Sequence, residues 1–494
     1  MASQTEAMVT EIAQQVQALL DAVTGAEAKT ATAEAVELAL FRRLLALGAT
    51  LLRLFFLTRA ASRPPEPVIG TGGVRLAYHD QRPTSYYSVF GKLSFRRHAY
   101  TAPGQPVVCP LDGALSLPAR CYSGLLADWA TYASTDAAYR ESQTVLMRIL
   151  GLPLSLQALE TVVAEAAVDV GAFLEQPPPA REPGRAETLL VVQADGKGVP
   201  MRPTAGSPTR PLRPGKGQPS GCMKEAIVTS LEARAPLPRS PDRVLAALLH
   251  EPAAADGAER PARPQPRDRE LRATLDGKAV ALGRLAARAR QREDATITAR
   301  VALTDGAEAL QRAMRTSLPD YPLVLDIIHV VEHLWEAANA WLGERHPERT
   351  AWVRQQLERV LHGQTATVIA TLTAAAADPT LRAAQRKVVQ QTAGYYERNQ
   401  PSMHYDAYLA QGWPIGTGVV ESACGQLVKE RMEQAGMRWG KPGAQAVLDL
   451  RAVRLNGQWE AYWQWHRQQE HRRLYGTAVP PPRPAEVQAF DLAA

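Results

Sequence analysis

The chain has 494 residues, is 46% hydrophobic and carries a formal net charge of +6. This length exceeds that of one ordinary hydrophobic core and predicts two or three domains. The basic excess is modest, so it favours a polyanionic partner such as nucleic acid only where the basic residues cluster. The 4 cysteines lie far apart without a CxxC pair, which argues against a zinc ribbon or a disulfide framework and indicates a reducing compartment.

Residues 1–62 are rich in Ala, Leu and Glu with helical periodicity. They predict one or two long helices that serve as an oligomerisation element. Their most apolar stretch, residues 44–57, contains Arg53 and is short, whereas a membrane span needs about 20 uninterrupted apolar residues. We therefore predict a buried or partner-facing helix in a cytoplasmic protein that lacks a secretory signal.

Residues 63–176 form the next predicted region, which combines a small β unit with helices. Aromatic and polar residues alternate around turn signals between residues 74 and 100, as in a β hairpin. Further on, "TVLMRILGLPLSLQALETVVAEAA" contains two helical stretches around a Gly-Leu-Pro turn, with Ser155 as a helix cap. This is the outline of a DNA-binding helix-turn-helix, although two packed helices joined by a turn are commoner.

A Pro-rich linker at 175–185 precedes a region of strands and helices at 186–329. The segments "TLLVVQADGKGVPMR" and "CMKEAIVTSLEAR" predict three consecutive strands, and a low-complexity stretch at 251–270 precedes a helix at 277–292. The strand "TARVALTDG", the helix "AEALQRAMRTSL" and the strand "YPLVLDIIH" follow. Three strands, a helix, a strand, a helix and a strand is the element order of a ribonuclease H-like α/β core with a mixed sheet.

The remaining chain contains three predicted regions. Residues 330–412 show only amphipathic helical patterns and predict an all-α insertion into the core. Residues 413–476 return to the core with a helix that carries Glu421, followed by basic C-terminal helices, and residues 477–494 form a Pro-rich tail.

Carboxylates occur at the ends of two predicted strands and early in the late helix: Asp195, Asp305 and Glu421. The ends of adjacent parallel strands lie about 5 Å apart, so a fold can bring these distant residues together. Converging carboxylates repel one another unless a cation lies between them, and hard oxygen ligands suit Mg²⁺ or Mn²⁺. Two such ions about 3.5–4 Å apart can activate an attacking oxygen and stabilise a leaving oxygen in phosphodiester chemistry.

Each carboxylate also has a purely structural interpretation. Asp195 precedes a glycine, and Asp-Gly between extended runs is a strong hairpin signal. Asp305 and Glu308 have the spacing of a helix-capping pair, and Glu421 lies where it could cap its own helix. The three carboxylates together, each in the expected strand or helix context, favour the metal site.

A competing motif is "HVVEH", in which His329, Glu332 and His333 match the H-x-x-E-H pattern of inverted zinc metallopeptidases. Glu421 would then be the third zinc ligand. This alternative leaves Asp195, Asp305 and the basic charge unexplained.

Five segments together resemble the ISKra family of bacterial insertion-sequence transposases, which is related to the Mutator-like DDE transposases: "LLVVQADGKGV", "VALTDGAEALQ", "LVLDIIHVVEHLWEAANAWLGE", "GWPIGTGVVESACGQLVKERMEQAGMRW" and "GAQAVLDLRAVRLNGQWEAYW". The resemblance runs from residue 110 to residue 476 and is most specific at 411–456. The chain departs from the family pattern at Ser422, Gly425 and Gln426, one helical turn from Glu421, which concerns the fine geometry of the site.

The resemblance implies a ribonuclease H-like core that is interrupted by a helical insertion before the last acidic residue. It implies that Asp195, Asp305 and Glu421 are the catalytic metal ligands. The C/D-x-x-H motif of Mutator-like enzymes falls on Asp326 and His329, which leaves open whether Asp305 or Asp326 is the second metal ligand.

The activity implied is that of a DNA transposase, which binds terminal inverted repeats and uses Mg²⁺ or Mn²⁺, with two ions expected, to cleave and join strands. The implied partners are double-stranded DNA and a second copy of the chain, in a homodimer or larger assembly, and the implied location is the bacterial cytoplasm at the nucleoid. A host ribonuclease H-like nuclease with the same carboxylates, or a domesticated DNA-binding protein, remains an alternative.

Basic residues in a loop and near the late helix are the candidate DNA contacts: Arg202, Arg210, Arg213, Lys216, Lys429, Arg431, Arg438, Trp439 and Lys441. The Arg and Lys side chains would position the phosphate backbone, and Trp439 would stack on an unpaired base. The alternative is a solvated helix face with a core tryptophan.

Overall fold

The computed structural model describes residues 2–64, 67–179, 182, 184–203, 222–251, 264–434 and 436–476. The chain divides into two compact units. The first contains Met1–Phe173 together with Trp459–Ala494, and the second contains Leu174–Gln458.

The first unit begins with two long antiparallel helices, α1 (Ala2–Thr24) and α2 (Ala33–Ala61). An antiparallel hairpin of β1 (Ala77–Ser88) and β2 (Gly91–Thr101) follows. Phe56 of α2 stacks on Phe95 of β2 with ring centroids 4.2 Å apart, so α2 packs on the hairpin. The predicted N-terminal helices and β hairpin are therefore present.

Helix α2 contains the most apolar stretch of the N-terminal region, which the sequence predicts as a buried or partner-facing helix. Among the described residues it is the one helix long and apolar enough to cross a membrane, as judged by length and composition, with a mean hydropathy of 1.6. Only 17% of its most apolar window is buried. Most of this window is therefore not buried within the chain, and the partner-facing alternative stays a prediction.

Five helices complete the first part of this unit: α3 (Pro110–Ala114), α4 (Gly124–Asp136), α5 (Tyr139–Leu150), α6 (Leu156–Ala167) and α7 (Val170–Leu174). Helix α5 ends at Gly151, whose positive φ of 68° suits a glycine, and the side chain of Ser155 accepts a hydrogen bond from the backbone of Ala158 at 3.1 Å. The predicted helix, turn and capped helix are therefore present. Their predicted contact with DNA stays a prediction.

The second unit contains a five-stranded mixed sheet: β3 (Leu189–Pro200), β4 (Met223–Arg234), β5 (Arg267–Thr274), β6 (Ala299–Thr304) and β7 (Leu323–Leu325). The strand order is β5-β4-β3-β6-β7. The β3–β4 and β4–β5 pairs are antiparallel, whereas β3–β6 and β6–β7 are parallel. The predicted mixed α/β fold is confirmed at this level.

Two details of the strand prediction are wrong. Strand β3 continues through Asp195 and Gly196, which pair with Val228 and Ile227 of β4, so Asp195 does not end the strand and the alternative of an Asp-Gly hairpin turn is excluded. The third strand, β5, begins within the stretch that composition marks as low complexity, which contains the first half of the strand. Its charged residues pair with neighbouring buried carboxylates, as Arg272 does with Glu270 at 2.9 Å. Ion pairs with buried carboxylates thus stabilise a strand whose sequence has no continuous apolar run.

Helices of the second unit cover both faces of the sheet: α8 (Pro241–Leu248), α9 (Lys278–Arg292), α10 (Glu308–Ser317), α11 (Ile327–Trp341), α12 (Arg349–Leu361), α13 (Thr365–Ala376), α14 (Ala383–Asn399), α15 (Tyr405–Ala410), α16 (Gly418–Ala423), α17 (Glu430–Met432) and α18 (Lys441–Leu455). The last described helix is α19 (Trp459–Tyr475). Alternate residues of β3 face opposite ways, as the strand pleat requires. Leu190 and Val192 pack with α9 and α10, whereas Leu189 and Val191 pack with the cluster that contains α11 to α14.

The last helix, α19, belongs to the first unit, although the sequence analysis grouped it with the core. The indole of Trp459 donates a hydrogen bond to Asp128 of α4 at 2.8 Å. His466 contacts the carboxylate of Asp169 at 2.6 Å. The first unit is therefore built from the two ends of the described chain.

The side chain of Asp449 on α18 is only partly exposed, and its ionisation should affect stability. Burial raises the pKa of Asp449 to about 6, and Gln445 donates a hydrogen bond to it at 2.9 Å. Because this folded-state pKa lies above the ordinary value of 3.8, the free energy of unfolding falls as pH rises between the two values, by up to about 3 kcal/mol. The Asp449→Asn variant cannot ionise, so we expect its melting temperature to exceed that of the native protein at pH 8.

The difference should nearly vanish near pH 4, where the carboxyl of the native protein is already protonated. Thermal unfolding at both pH values measures it, with the exposed Asp320→Asn as the control. A stabilisation that is equal at the two pH values would contradict the prediction.

Candidate active site

Three acidic side chains lie where the parallel strand pairing stops: Asp195 on β3, Asp305 after β6 and Asp326 after β7. The last β3–β6 pair joins Gln193 to Leu303, and the last β6–β7 pair joins Thr304 to Leu325. If the β3–β6 register is extended by two positions, Asp195 lies beside Asp305. If the β6–β7 register is extended by one position, Asp305 lies beside Asp326. The three carboxylates therefore form one row across the sheet.

Helix α16 brings Glu421 to the same edge of the sheet. Possible metal-ligand atoms of Asp326, His329 and Glu421 all lie within 4.8 Å of one another. The hydroxyl of Thr417 lies between the two carboxylates, 2.7 Å from Glu421 Oε1 and in hydrogen-bond contact with Asp326 Oδ2. Two of the predicted site residues, Asp326 and Glu421, are thus linked through a residue that the sequence analysis did not identify.

Asp326 is fully buried and caps α11, accepting a hydrogen bond from the backbone of Ile328 at 2.9 Å. Nδ1 of His329 lies 3.0 Å from Asp326 Oδ2. The hydrogen bond with Asp326 raises the pKa of His329 to about 9, which favours the imidazolium. Burial alone would raise the pKa of Asp326, but the hydrogen bonds from His329, Thr417 and Ile328 outweigh it and leave that pKa below its ordinary value.

Asp195 is half-buried and lies beside this group. Its Oδ2 accepts a hydrogen bond from the Cys424 thiol, with Sγ and Oδ2 3.3 Å apart. Burial raises the pKa of Asp195, and the nearby negative charge of Asp305 raises it further, while His329 acts in the opposite direction. Partial burial also raises the pKa of Glu421. Asp195 and Glu421 therefore carry a charge that burial disfavours, whereas Asp326 is stabilised as a carboxylate by its hydrogen bonds.

Asp305 is also half-buried, and its Oδ1 accepts a hydrogen bond from the backbone of Ala307 at 2.9 Å. Glu308 instead contacts Arg312, at 2.6 Å, so the two acidic residues do not form the alternative capping pair. Asp305 and Asp195 are not part of the group whose ligand atoms lie within 4.8 Å. They lie beside this group, Asp195 on β3 and Asp305 directly after the neighbouring strand β6.

Helices of the 330–412 segment hold the ends of the two strands that precede Asp305 and Asp326. The hydroxyl of Tyr395 donates to the carbonyl of Asp305 at 3.1 Å, and that of Tyr405 donates to the carbonyl of Leu325 at 2.9 Å. Both tyrosines are buried, so water competes little for these hydrogen bonds. The helical segment therefore contributes to the position of the acidic row.

His333 lies away from the acidic group, in a groove of about 900 Å³ between α11 and α14. Its ring packs against Tyr395 with centroids 4.0 Å apart, and its Nδ1 contacts Glu336 at 3.0 Å. Among the residues that the structure describes, the group suited to a metal includes His329 but not His333. The H-x-x-E-H spacing therefore does not direct both histidines to one metal in this conformation.

The structure shows a further residue that positions the late helix. Gln193 is 1% exposed, and its Oε1 accepts a hydrogen bond from the backbone of Val420 at 3.1 Å. Val420 precedes Glu421 in the first turn of α16, where backbone N–H groups lack partners within the helix. A π-helical segment, Cys424–Lys429, follows α16 and contains the thiol that contacts Asp195. Gln193 and Cys424 thus connect β3 to the helix that carries Glu421.

Replacing this buried acceptor should separate catalysis from folding. The Gln193→Leu variant leaves the Val420 N–H without its partner, which should cost about 1–3 kcal/mol of stability. Displacement of Glu421 should lower the kcat of a reaction at this site by about 10- to 100-fold with little change in KM. Activity assays and thermal unfolding measure the two effects.

Gln311→Leu is a matched control, because Gln311 is also buried and contacts Asn399 at 2.7 Å away from Glu421. We expect it to lose similar stability with kcat preserved. Equal losses of kcat in the two variants would mean that Gln193 acts only on stability.

The predicted DNA-contact residues differ in whether their side chains are exposed or buried. Arg202, Lys429, Arg438 and Lys441 are exposed, and Lys441 pairs with Asp276 at 2.7 Å. Arg210, Arg213 and Lys216 lie outside the described residues.

Arg431 and Trp439 are buried, with the guanidinium carbon 4.8 Å from the centroid of the indole ring. Their burial agrees with the alternative interpretation of a core tryptophan. In this conformation neither side chain presents a surface to a phosphate or a base.

No family model matches the chain. A curated relative, the "UPF0236 protein in vanSb 3'region" of Streptococcus gallolyticus, is 29% identical over 109 residues. The matched stretch covers 22% of this chain and 24% of the relative. The chain therefore resembles this protein over about a quarter of the relative's length.

Proposed function

We propose that this protein is a metal-dependent DNA transposase of an insertion sequence. The main supporting observation is that Asp195, Asp305, Asp326 and Glu421 converge at one edge of a mixed sheet, although the first and last are 421 − 195 = 226 positions apart. Burial and the nearby negative charge of Asp305 raise the pKa of Asp195, as expected where carboxylates converge. The resemblance of five segments to ISKra transposases supports the same proposal.

In this proposal the sheet is a ribonuclease H-like core with β3 at its centre. The antiparallel strands β4 and β5 on one side of β3, and the parallel strands β6 and β7 on the other, support this assignment. The helical segment between residues 330 and 412 then interrupts the core before its last acidic residue.

Asp195, Asp305 and Glu421 are the proposed ligands of Mg²⁺ or Mn²⁺, with two ions expected. Asp195 and Asp305 are half-buried on neighbouring strands, and Glu421 is exposed, so its side chain can reorient toward them. Asp326 is closer to Glu421, but its oxygens already accept hydrogen bonds from Ile328, His329 and Thr417. A bound divalent ion would activate the attacking oxygen and stabilise the leaving oxygen of the phosphodiester.

The protein's own groups position these ligands. Asp326 holds His329 and Thr417, and Thr417 in turn contacts Glu421. The Cys424 thiol orients Asp195. We therefore propose that Asp326 is a positioning residue, and that the imidazolium of His329 offsets the carboxylate charge around it.

The proposed partners are double-stranded DNA, both as terminal inverted repeats and as target, and further copies of the chain. The exposed residues Arg202, Lys429 and Arg438 are proposed to contact phosphates. The proposed location is the bacterial cytoplasm at the nucleoid.

Cleavage of supercoiled DNA that carries the element's own ends tests the proposal. We expect strand cleavage at those ends with Mg²⁺ or Mn²⁺ and none with EDTA, and DNA binding that weakens steeply as salt rises. Binding without cleavage would favour a domesticated DNA-binding protein. Cleavage independent of the terminal repeats would favour a host nuclease, and salt-insensitive or absent binding would contradict the proposal.

A further inference from the structure

The two N-terminal helices expose a wide apolar face. Large hydrophobic side chains that are 40% to 53% exposed occur on both helices: Val9, Val16, Leu20 and Val23 of α1, and Leu38, Phe41, Leu44, Leu51 and Phe55 of α2. Large apolar patches are unusual on a protein surface that has no partner. The face is thus a candidate interface.

The spacing of these side chains places most of them in one stripe on each helix. Val9, Val16 and Val23 recur every seven residues, and Phe41, Leu44, Leu51 and Phe55 follow at intervals of three, seven and four. At about 100° per residue, the α1 stripe spans about 40° of the helix circumference and the α2 stripe about 80°. Seven-residue repeats of this kind are typical of helices that pack against helices.

Both stripes face the same side of the helix pair. Gln15 of α1 contacts Thr50 of α2 at 3.0 Å, which marks the sides of the two helices that face each other. At about 100° per residue, the centre of the α1 stripe lies about 100° from Gln15 and the centre of the α2 stripe about 140° from Thr50, in the same rotational sense along each helix. Because the helices are antiparallel, equal senses bring the stripes to one common face.

The charges around this face disfavour a membrane as its partner. Arg42 and Arg53 of α2 lie near the side opposite its stripe, and Asp21 of α1 is also exposed. Arg43 donates a hydrogen bond to the backbone of Ala18 in the middle of the helix pair. Inserting α2 across a bilayer would bury these arginines at a cost. An apolar protein surface with helical spacing is the better match.

We propose that a second copy of this chain covers the face, so that two α1–α2 pairs form an antiparallel four-helix bundle around a twofold axis. The same surface then serves on both copies, as twofold symmetry requires. Helix α1 is 23 residues long, so the two helices side by side span about 35 Å by 18 Å, or roughly 600 Å² per copy, less the part of α2 near Gly48 where the ring of Phe90 from the hairpin packs. This is somewhat below the roughly 800 Å² per partner of a standard protein–protein interface.

The proposed dimer is the oligomer that the proposed function requires, and it rests on the proposed function only in that respect. Its test measures assembly without DNA, so failure of the dimer and failure of cleavage give different results. The Leu44→Glu/Leu51→Glu variant places charges on the α2 stripe, where both side chains are exposed within one protomer. Arg42→Glu/Arg53→Glu, near the opposite side, is the matched control.

Analytical ultracentrifugation of the full chain at micromolar concentration should give a native mass of twice 53.7 kDa. The leucine double variant should be monomeric at the same concentration, with an unchanged helical circular dichroism spectrum, and the arginine control should remain dimeric. Val16→Lys/Val23→Lys, on the α1 stripe, should also give monomers and provides a second variant if the first does not fold.

A monomeric native protein, or a dimer that survives both stripe variants, would overturn the proposal. Binding of the native chain to phosphatidylcholine vesicles that both stripe variants lose, without a native dimer, would assign the face to a membrane surface instead.

Discussion

The Asp195→Asn variant is expected to lose roughly 1,000-fold or more of its Mg²⁺-dependent DNA cleavage, equivalent to about 4 kcal/mol of transition-state stabilisation. Asparagine keeps the size of aspartate and an oxygen that can accept the Cys424 hydrogen bond, but it lacks the negative charge that would bind a divalent ion. Supercoiled DNA with the element's own ends is the substrate, and strand cleavage is the readout.

DNA binding should be retained in this variant, because phosphate contacts by exposed basic residues do not depend on one carboxylate. Thermal stability should be equal or slightly higher, because burial and the nearby Asp305 disfavour the ionised form of Asp195. The exposed Asp320→Asn is a control of the same chemistry and should cleave normally. Equal cleavage by the native protein and Asp195→Asn would make Asp195 a structural residue of β3.

Asp305→Asn and Asp326→Asn should fail in different ways. We expect Asp305→Asn to lose cleavage and Mn²⁺ affinity by at least about 100-fold while its melting temperature changes little, because Asp305 is half-buried. Asp326 is fully buried and accepts hydrogen bonds from Ile328, His329 and Thr417. Its replacement should destabilise the fold by about 1–3 kcal/mol and lower kcat, while the intrinsic Mn²⁺ affinity of the folded fraction is largely kept.

Calorimetric titration with Mn²⁺ together with thermal unfolding separates these outcomes. If Asp326→Asn abolished Mn²⁺ binding in a folded protein and Asp305→Asn did not, Asp326 would be the second ligand. In that case the close group of Asp326, His329 and Glu421 would itself be the metal site.

The sequence was informative where burial dictates residue type. The apolar runs before Asp195, Asp305 and Asp326 predicted strands β3, β6 and β7, because strands covered on both faces need continuous hydrophobic residues. The edge strand β5 escaped prediction, because its arginines satisfy buried carboxylates of its own strand and of β4, an arrangement that composition does not reveal. The predicted end of β3 at Asp195 was wrong, because the strand continues to pair with β4 beyond the Asp-Gly pair and this pairing is not visible in the local sequence.

In the candidate site, too, some residues could be predicted from the sequence and others could not. The acidic residues could be proposed from their positions after strands and from the resemblance, but their hydrogen-bond partners could not. Gln193 carried a usable signal, since a glutamine within "LLVVQAD" is buried on both sides and must find a partner. Thr417 and Cys424 carried none, because their contacts depend on how α16 meets the sheet.

The return of α19 to the first unit has a consequence for synthesis on the ribosome. Every strand of the mixed sheet and every proposed metal ligand precedes Trp459, so the sequence of the second unit is complete before that of the last described helix. The first unit begins earlier, yet its sequence is completed later, because Asp128 and Asp169 must wait for Trp459 and His466. A chain released at residue 458 would therefore contain every residue of the second unit but lack the helix that these two carboxylates of the first unit contact.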